Sequence, residues 1–265
     1  YARRWSLLPI DLEVENLEGE EFYLLIIHTE NIAHFFHDVF FPFYLEWRKN
    51  KKRVCVSIKG NTFQREFLES IIDPKDLVFL DYDKAYAFSK LIVTPEGRDL
   101  KIYPDFQKIC REIKAICFAK HGISEIRNKN LIYGRNELSR KNLLNIDQGF
   151  LKANHIDQVF LSKLSFKDYL QTLANAQTFT YMVGAGVFNL LFLSDDVKVL
   201  EINPYRNNSW AQMFGLSTLC DFNVVISNNL EHSAAAAQDE LILDSHVYFD
   251  DQIAAEITKL ISSHN

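Results

Sequence analysis

The chain reads as an α/β protein built from two doubly wound halves that face one another. Three observations predict this. Short apolar strands alternate with helix-length segments along the whole sequence. The alternation pauses at a charged stretch, residues 121–129, and then restarts. Between Thr178 and Ile202 a strand, a small-residue turn, an apolar run and a second strand follow in order. In such sheets, ligands bind at the carboxyl ends of the strands.

The elements follow in order. Residues 23–28 are apolar and suit a buried strand. Asn31 is a good N-cap for the helix-length run NIAHFFHDVFFPFYLEW, in which Pro42 should kink or divide the helix because it lacks a backbone donor. The basic cluster RKNKKR (48–53) precedes a strand at 54–58, an amphipathic helix at 62–72, and strands at 77–80 and 90–94. Phe106, Ile109, Ile113, Ile116 and Cys117 share one face of a helix over 105–120, which Gly122 can stop.

The second half begins with the strand NLIYG and continues with a strand at 155–161. A helix over 165–176 is capped by Ser165, with Asp168 in the capping-box position. Strands at 178–183, 197–202 and 223–227 follow, with a helix near 207–215. The last residues form an amphipathic helix. Domain bounds are set at 1–125, 126–240 and 241–265, the last segment expected to pack back on the first half.

Bulk composition excludes several classes. Hydrophobic residues at 48% and charged residues at 24% are those of a folded globular chain rather than a disordered one. A net charge of −6 argues against nucleic acid as a partner. No apolar run approaches the ~20 residues of a membrane span. Cys55, Cys110, Cys117 and Cys220 form no CxxC pair and have apolar neighbours. They read as free buried thiols of a reducing compartment, hence a cytoplasmic protein, with the basic cluster as a feature that could meet a membrane surface. The first residue is Tyr1, with no initiating Met, which leaves open a removed targeting segment or a further domain before it.

Four groups could carry chemistry. His34 and Asp38 are spaced i, i+4 on a helix, with Asn31 and His37 nearby. A His–carboxylate pair can take a proton from a hydroxyl; the alternatives are a capped helix start with histidines packed among phenylalanines, or a metal site with His28 as third ligand. Arg135 and Arg140 follow a strand that ends at Gly134, where a guanidinium can grip a diphosphate; a solvated basic loop is the alternative. Gly184, Ala185 and Gly186 open a helix whose free N–H groups a phosphate could approach. Glu201, at the next strand end, is placed for sugar hydroxyls or for a simple surface cap. Asp81-Tyr82-Asp83 could hold a divalent metal but reads better as an ordinary turn.

Three of these blocks together resemble glycosyltransferase family 61. NIAHFFHDVFFP (31–42) is similar to the family's Asn…His-Phe…Asp signature, LIYGRNELSRKNLLN (131–145) to its strand–Arg–loop–Arg signature, and VGAGVFNLLFLSDDVKVLEINP (183–204) to its His-Gly-Ala-Gly block. The resemblance implies a GT-B fold of two Rossmann-like domains. It implies inverting transfer from a nucleotide-sugar to a glycan acceptor, as in capsule or cell-surface polysaccharide synthesis, without an essential metal or other cofactor.

By matched position, Arg135 and Arg140 would neutralise the diphosphate. Gly184, Ala185 and Gly186 would approach it, Asn189 would support the turn, and Glu201 would lie near the ribose or base. Asp38, with His34 as second candidate, would be the base, with Asn31 and His37 in support. Two positions depart from the pattern: Val183 replaces its His and Phe188 its Thr or Ser, so two polar groups are absent. A metal-dependent transferase using Asp81 and Asp83, and a non-catalytic sugar-binding domain, are the competing readings.

Overall fold

The computed structural model describes residues 14–29, 31–58, 62–81, 83–94, 105–134, 142–204, 209–227, 230–231 and 246–263. The chain divides into two compact units, Tyr1–Glu30 with His34–Arg98, and Asn31–Ala33 with Asp99–Asn265. Both contain parallel sheets flanked by helices, the Rossmann-like α/β organisation that the alternating pattern predicts.

In the first unit, β1 (Val14–Ile27), β2 (Val54–Ile58), β3 (Leu77–Phe79) and β4 (Ala85–Val93) form a parallel sheet in the order β3-β2-β1-β4. β1 and β4 are longer than expected: β1 extends on its amino-terminal side through a largely acidic and polar stretch, and β4 through Ala85–Ser89, the two paired in parallel along these extensions. The long helix α1 begins as Ile32–His34, passes through a π turn at Phe35–Phe40 and continues as an α-helix over Phe41–Asn50. Phe41 N–H bonds to Phe36 O, five residues back. The division expected at Pro42 thus takes the form of a change in winding, with the missing proline donor beside the junction.

The apolar positions of α1 face inward. Phe35, Phe36 and Phe40 surround Phe67 of α2 (Thr62–Ile71), with ring centroids 4.6–5.8 Å apart at steep angles. Such edge-to-face pairs add ~0.5–1.5 kcal/mol each beyond area burial. The polar residues His34, His37 and Asp38 are left on the outer side, half-buried or exposed.

In the second unit, helix α3 (Phe106–His121) ends at Gly122, where a φ of 65° and the bond Ile123 N–H to Phe118 O, 2.9 Å, close the last turn. Ile109, Ile113 and Cys117 are buried as the spacing predicts, whereas Ile116 is only half-buried. β5 (Lys129–Tyr133), β7 (Ile156–Val159), β8 (Ala176–Met182), β9 (Lys198–Asn203) and β10 (Asp221–Ile226) make a parallel sheet in the order β10-β9-β8-β5-β7. Counted in chain order these strands run 2-1-3-4-5, so the winding reverses between β5 and β8.

After the short helix α4 (Gln148–Ala153), Ser165 caps α5 (Phe166–Ala174) through its hydroxyl and the Asp168 N–H at 3.1 Å. A small sheet, β11-β12-β6, adds Leu230–Glu231, His246–Tyr248 and Leu143–Leu144. The closing helix α7 (Asp251–Ser262) buries Ile253, Ile257 and Leu260 with Ile132, Met182, Leu200 and Ile202 of the five-stranded sheet. The closing segment thus belongs to the second unit. Alternate residues of β8 and β9 present an apolar face on that side, and α7 supplies its cover.

No helix among the described residues is long and apolar enough to cross a membrane. All four cysteines are free. Burial pushes the Cys55 thiol up to about 11 and the Cys220 thiol up to about 12, so neither is a ready nucleophile.

Candidate functional site

In the first unit His34, His37 and Asp38 cluster within little more than one turn of α1, and Asn31 stands just before the helix start. The Asn31 side chain accepts from Ala33 N–H at 2.9 Å, which makes it the helix cap. His34 Nδ1 lies 2.7 Å from Asp38 Oδ2, and His37 Nδ1 lies 2.5 Å from Asp38 Oδ1. Desolvation raises the Asp38 carboxyl, but the bonds from His37 and His34 and their charges outweigh it, so its pKa is lowered. An ionised Asp38 accepts on both oxygens. In its neutral form an imidazole so bonded carries its proton on Nδ1, toward Asp38, and a lone pair on Nε2. The His34 side chain is 62% exposed, against 25% for His37. His34 therefore stands on the solvent side, whereas His37 is largely covered.

The other candidates of this unit are engaged locally. Asp81 Oδ1 accepts from Asp83 N–H at 3.0 Å, and Asp81 N–H bonds to Tyr86 Oη at 2.7 Å, an Asx turn. Among the described residues, no group of three or more His, Cys, Asp or Glu converges to hold a metal ion. The basic cluster is partly neutralised: Lys49 pairs with Glu46, Lys52 with Glu21, and the Arg53 guanidinium lies over the Phe22 ring.

In the second unit the turn after β8 is set by Gly184, whose φ of 140° and ψ of −153° suit glycine almost alone. The helix it opens is a 3₁₀ helix, Ala185–Phe192, rather than an α-helix, and it is buried from Gly186 to Phe192. A segment apolar on nearly every side has no polar face to turn outward, so it sinks into the fold. A Cβ on Gly186 would lie 3.0 Å from Tyr133 Cε1 and 3.5 Å from Tyr181 Cδ2. The 3₁₀ helix thus rests on the rings of β5 and β8. Tyr133, Phe179 and Tyr181 stack in sequence beneath it, at 6.5 and 5.8 Å. Asn189 is buried and its Oδ1 accepts from Tyr169 Oη at 2.8 Å.

Glu201 lies two residues inside β9, directly opposite Tyr181 in β8. It is fully buried, so the surface cap is excluded. Tyr181 Oη donates to its Oε2 at 2.6 Å, and Asn203 Nδ2 to its Oε1 at 3.0 Å. Ser209 and the Ala211 N–H, at the start of α6 (Trp210–Met213), also bond to it. Burial raises its pKa, and these four donors oppose the rise.

Tyr181 and Tyr169 were given no role from sequence. The period-2 alternation that puts Phe179, Tyr181, Val199 and Glu201 on one face was the signal that could have found the first. Val183 and Phe188, the departures from the family pattern, are core residues: both are fully buried, and Phe188 packs on Phe214 at 5.5 Å. Arg135 and Arg140 lie outside the described residues.

The family model described as Glycosyltransferase 61 matches residues 32–200. No curated protein matches the chain.

Proposed function

The chain belongs to glycosyltransferase family 61 and so transfers a sugar from a donor to an acceptor; from that premise we propose an inverting enzyme that moves a hexose or pentose from a nucleotide-sugar to a hydroxyl of a cell-surface or capsule-type glycan. The reading includes the GT-B arrangement, with the acceptor side on the first unit and the donor side on the second. It also includes a cytoplasmic or membrane-peripheral setting, which the four free thiols support.

The observation that carries it is the reversal of winding between β5 and β8. Open parallel sheets bind ligands in the crevice at such a switch point, beyond the strand carboxyl ends. β5 leads into Gly134-Arg135, and β8 leads into Val183-Gly184. The two blocks chosen from sequence for the diphosphate therefore follow the two strands that flank the crevice. Arg135 and Arg140 neutralise the leaving diphosphate, a task that otherwise falls to a divalent cation. Gly184, Ala185 and Gly186 bring backbone close to it, and Asn189 holds the 3₁₀ helix in place.

The acid–base roles are exchanged relative to the sequence reading. Asp38 was the expected base, yet both of its oxygens accept from imidazoles and its pKa is lowered. It serves better as the group that orients His34 and supports the imidazolium. His34 Nε2 takes the proton from the acceptor hydroxyl. The acceptor oxygen bonds to the anomeric carbon, and the bond from that carbon to the phosphate oxygen breaks. The nucleoside diphosphate leaves with the electron pair.

The experiment is Arg135→Ala with donor turnover as readout. A fall of ~10²-fold or more is expected, the scale of losing one charge-stabilising donor. Unchanged turnover overturns the donor assignment.

A further inference from the structure

We infer that Tyr181 and Glu201 form a buried clasp that positions the donor-side turn at Gly184, and that Glu201 acts through this clasp instead of touching the donor itself. The proposal rests on the transferase reading for its kinetic consequence, but not for its geometry. Glu201 has no exposed surface, and both of its oxygens are taken by protein donors. A carboxylate so placed has neither the surface nor the lone-pair directions left to hold a ribose.

Its partners explain what it does instead. Tyr181 stands three residues before Gly184, and its ring packs against the Cβ position of Gly186. Asn203 ends β9, and Ser209 and Ala211 lie at the start of α6. One carboxylate thus ties the end of β8, which bears the Gly184 turn, to the end of β9 and the start of α6. The Gly184 turn lies at the carboxyl edge of the sheet, where ligands bind in this architecture. Tyr181 and Glu201 are positioning residues, because the turn they hold, and not they themselves, meets the donor.

The test uses Tyr181→Phe, Glu201→Gln and the double variant in the full chain, with UDP-N-acetylglucosamine, UDP-xylose and GDP-mannose as probes. For the probe that serves as donor, each single variant is expected to raise KM about tenfold, the scale of one lost buried hydrogen bond, with kcat kept within about threefold. The double variant is expected to be no worse than either single one, as for residues that act as a unit. A lowered melting temperature with unchanged donor KM overturns the proposal. So does a KM effect in Glu201→Gln that Tyr181→Phe does not share, since that marks direct contact. If wild-type protein uses none of the probes, amide hydrogen exchange decides. Faster exchange at both 183–186 and 209–211 in Tyr181→Phe is expected, and unchanged exchange at either segment overturns the clasp. Failure of all probes with an intact clasp counts against the donor reading alone.

Discussion

His34 Nδ1 and Asp38 Oδ2 lie 2.7 Å apart across one turn of α1, and the same carboxylate takes a second bond from His37. In the proposed reaction His34 is the proton acceptor and Asp38 its support. His34→Gln and Asp38→Asn are each expected to lower turnover by ~10²–10⁴, with donor affinity little changed. Steady-state rates beside donor titration check this. Wild-type rates in His34→Gln would pass the role to another group.

Asp38 also links stability to pH. Its folded pKa lies below the ordinary 3.8, so its contribution is present above that value and is lost as pH falls through the folded one. In acid titrations followed by circular dichroism, Asp38→Asn should unfold with a shallower dependence than wild type in that window. Superimposable curves would mean that the bonds from His34 and His37 do not favour the carboxylate in solution.

Glu201 has the opposite sign. Burial holds its folded pKa above the ordinary 4.5, so the folded state is penalised as pH rises from that value through the folded pKa. Glu201→Gln does not titrate. The stability of wild type relative to this variant should fall as pH rises across the window and then level off. Denaturant melts at several pH values measure it, and a difference independent of pH would refute a raised pKa.

Gly186 has a close neighbour rather than a strained backbone. A Cβ there would stand 3.0 Å from Tyr133 Cε1, and that ring is stacked in line with Phe179. Gly186→Ala should destabilise the fold by ~1–3 kcal/mol through overpacking. A melting temperature equal to wild type would show that the ring gives way freely.

Tyr169→Phe removes the hydroxyl that donates to the buried Asn189 Oδ1, the 2.8 Å bond that fastens the 3₁₀ helix to α5. A loss of ~1–3 kcal/mol is expected, the cost of an unsatisfied buried acceptor. Asn189→Leu in the same background should recover part of it. No recovery would mean that Asn189 has a further partner to satisfy.

The sequence by itself determined the strands, the amphipathic helices and their caps. Ser165, Asn31 and Gly122 act on their own neighbours, and apolar spacing reports which face is buried. It also marked His34, His37 and Asp38, because residues within one turn of a helix meet whatever the rest of the chain does. Some outcomes it could not determine. The π turn before Pro42 depends on how Phe35, Phe36 and Phe40 fit around Phe67, 27 to 32 residues further along the chain. The 3₁₀ winding of Ala185–Phe192 depends on the rings of Tyr133 and Tyr181 beneath it. Glu201 looked like a surface carboxylate at a strand end, and only strand pairing brought Tyr181 opposite it under a buried helix. Strand order likewise came from tertiary structure: each strand's sequence states that it is buried, but the neighbour it chooses, and so the switch point beside Gly134 and Gly184, is settled by the packing of all five together.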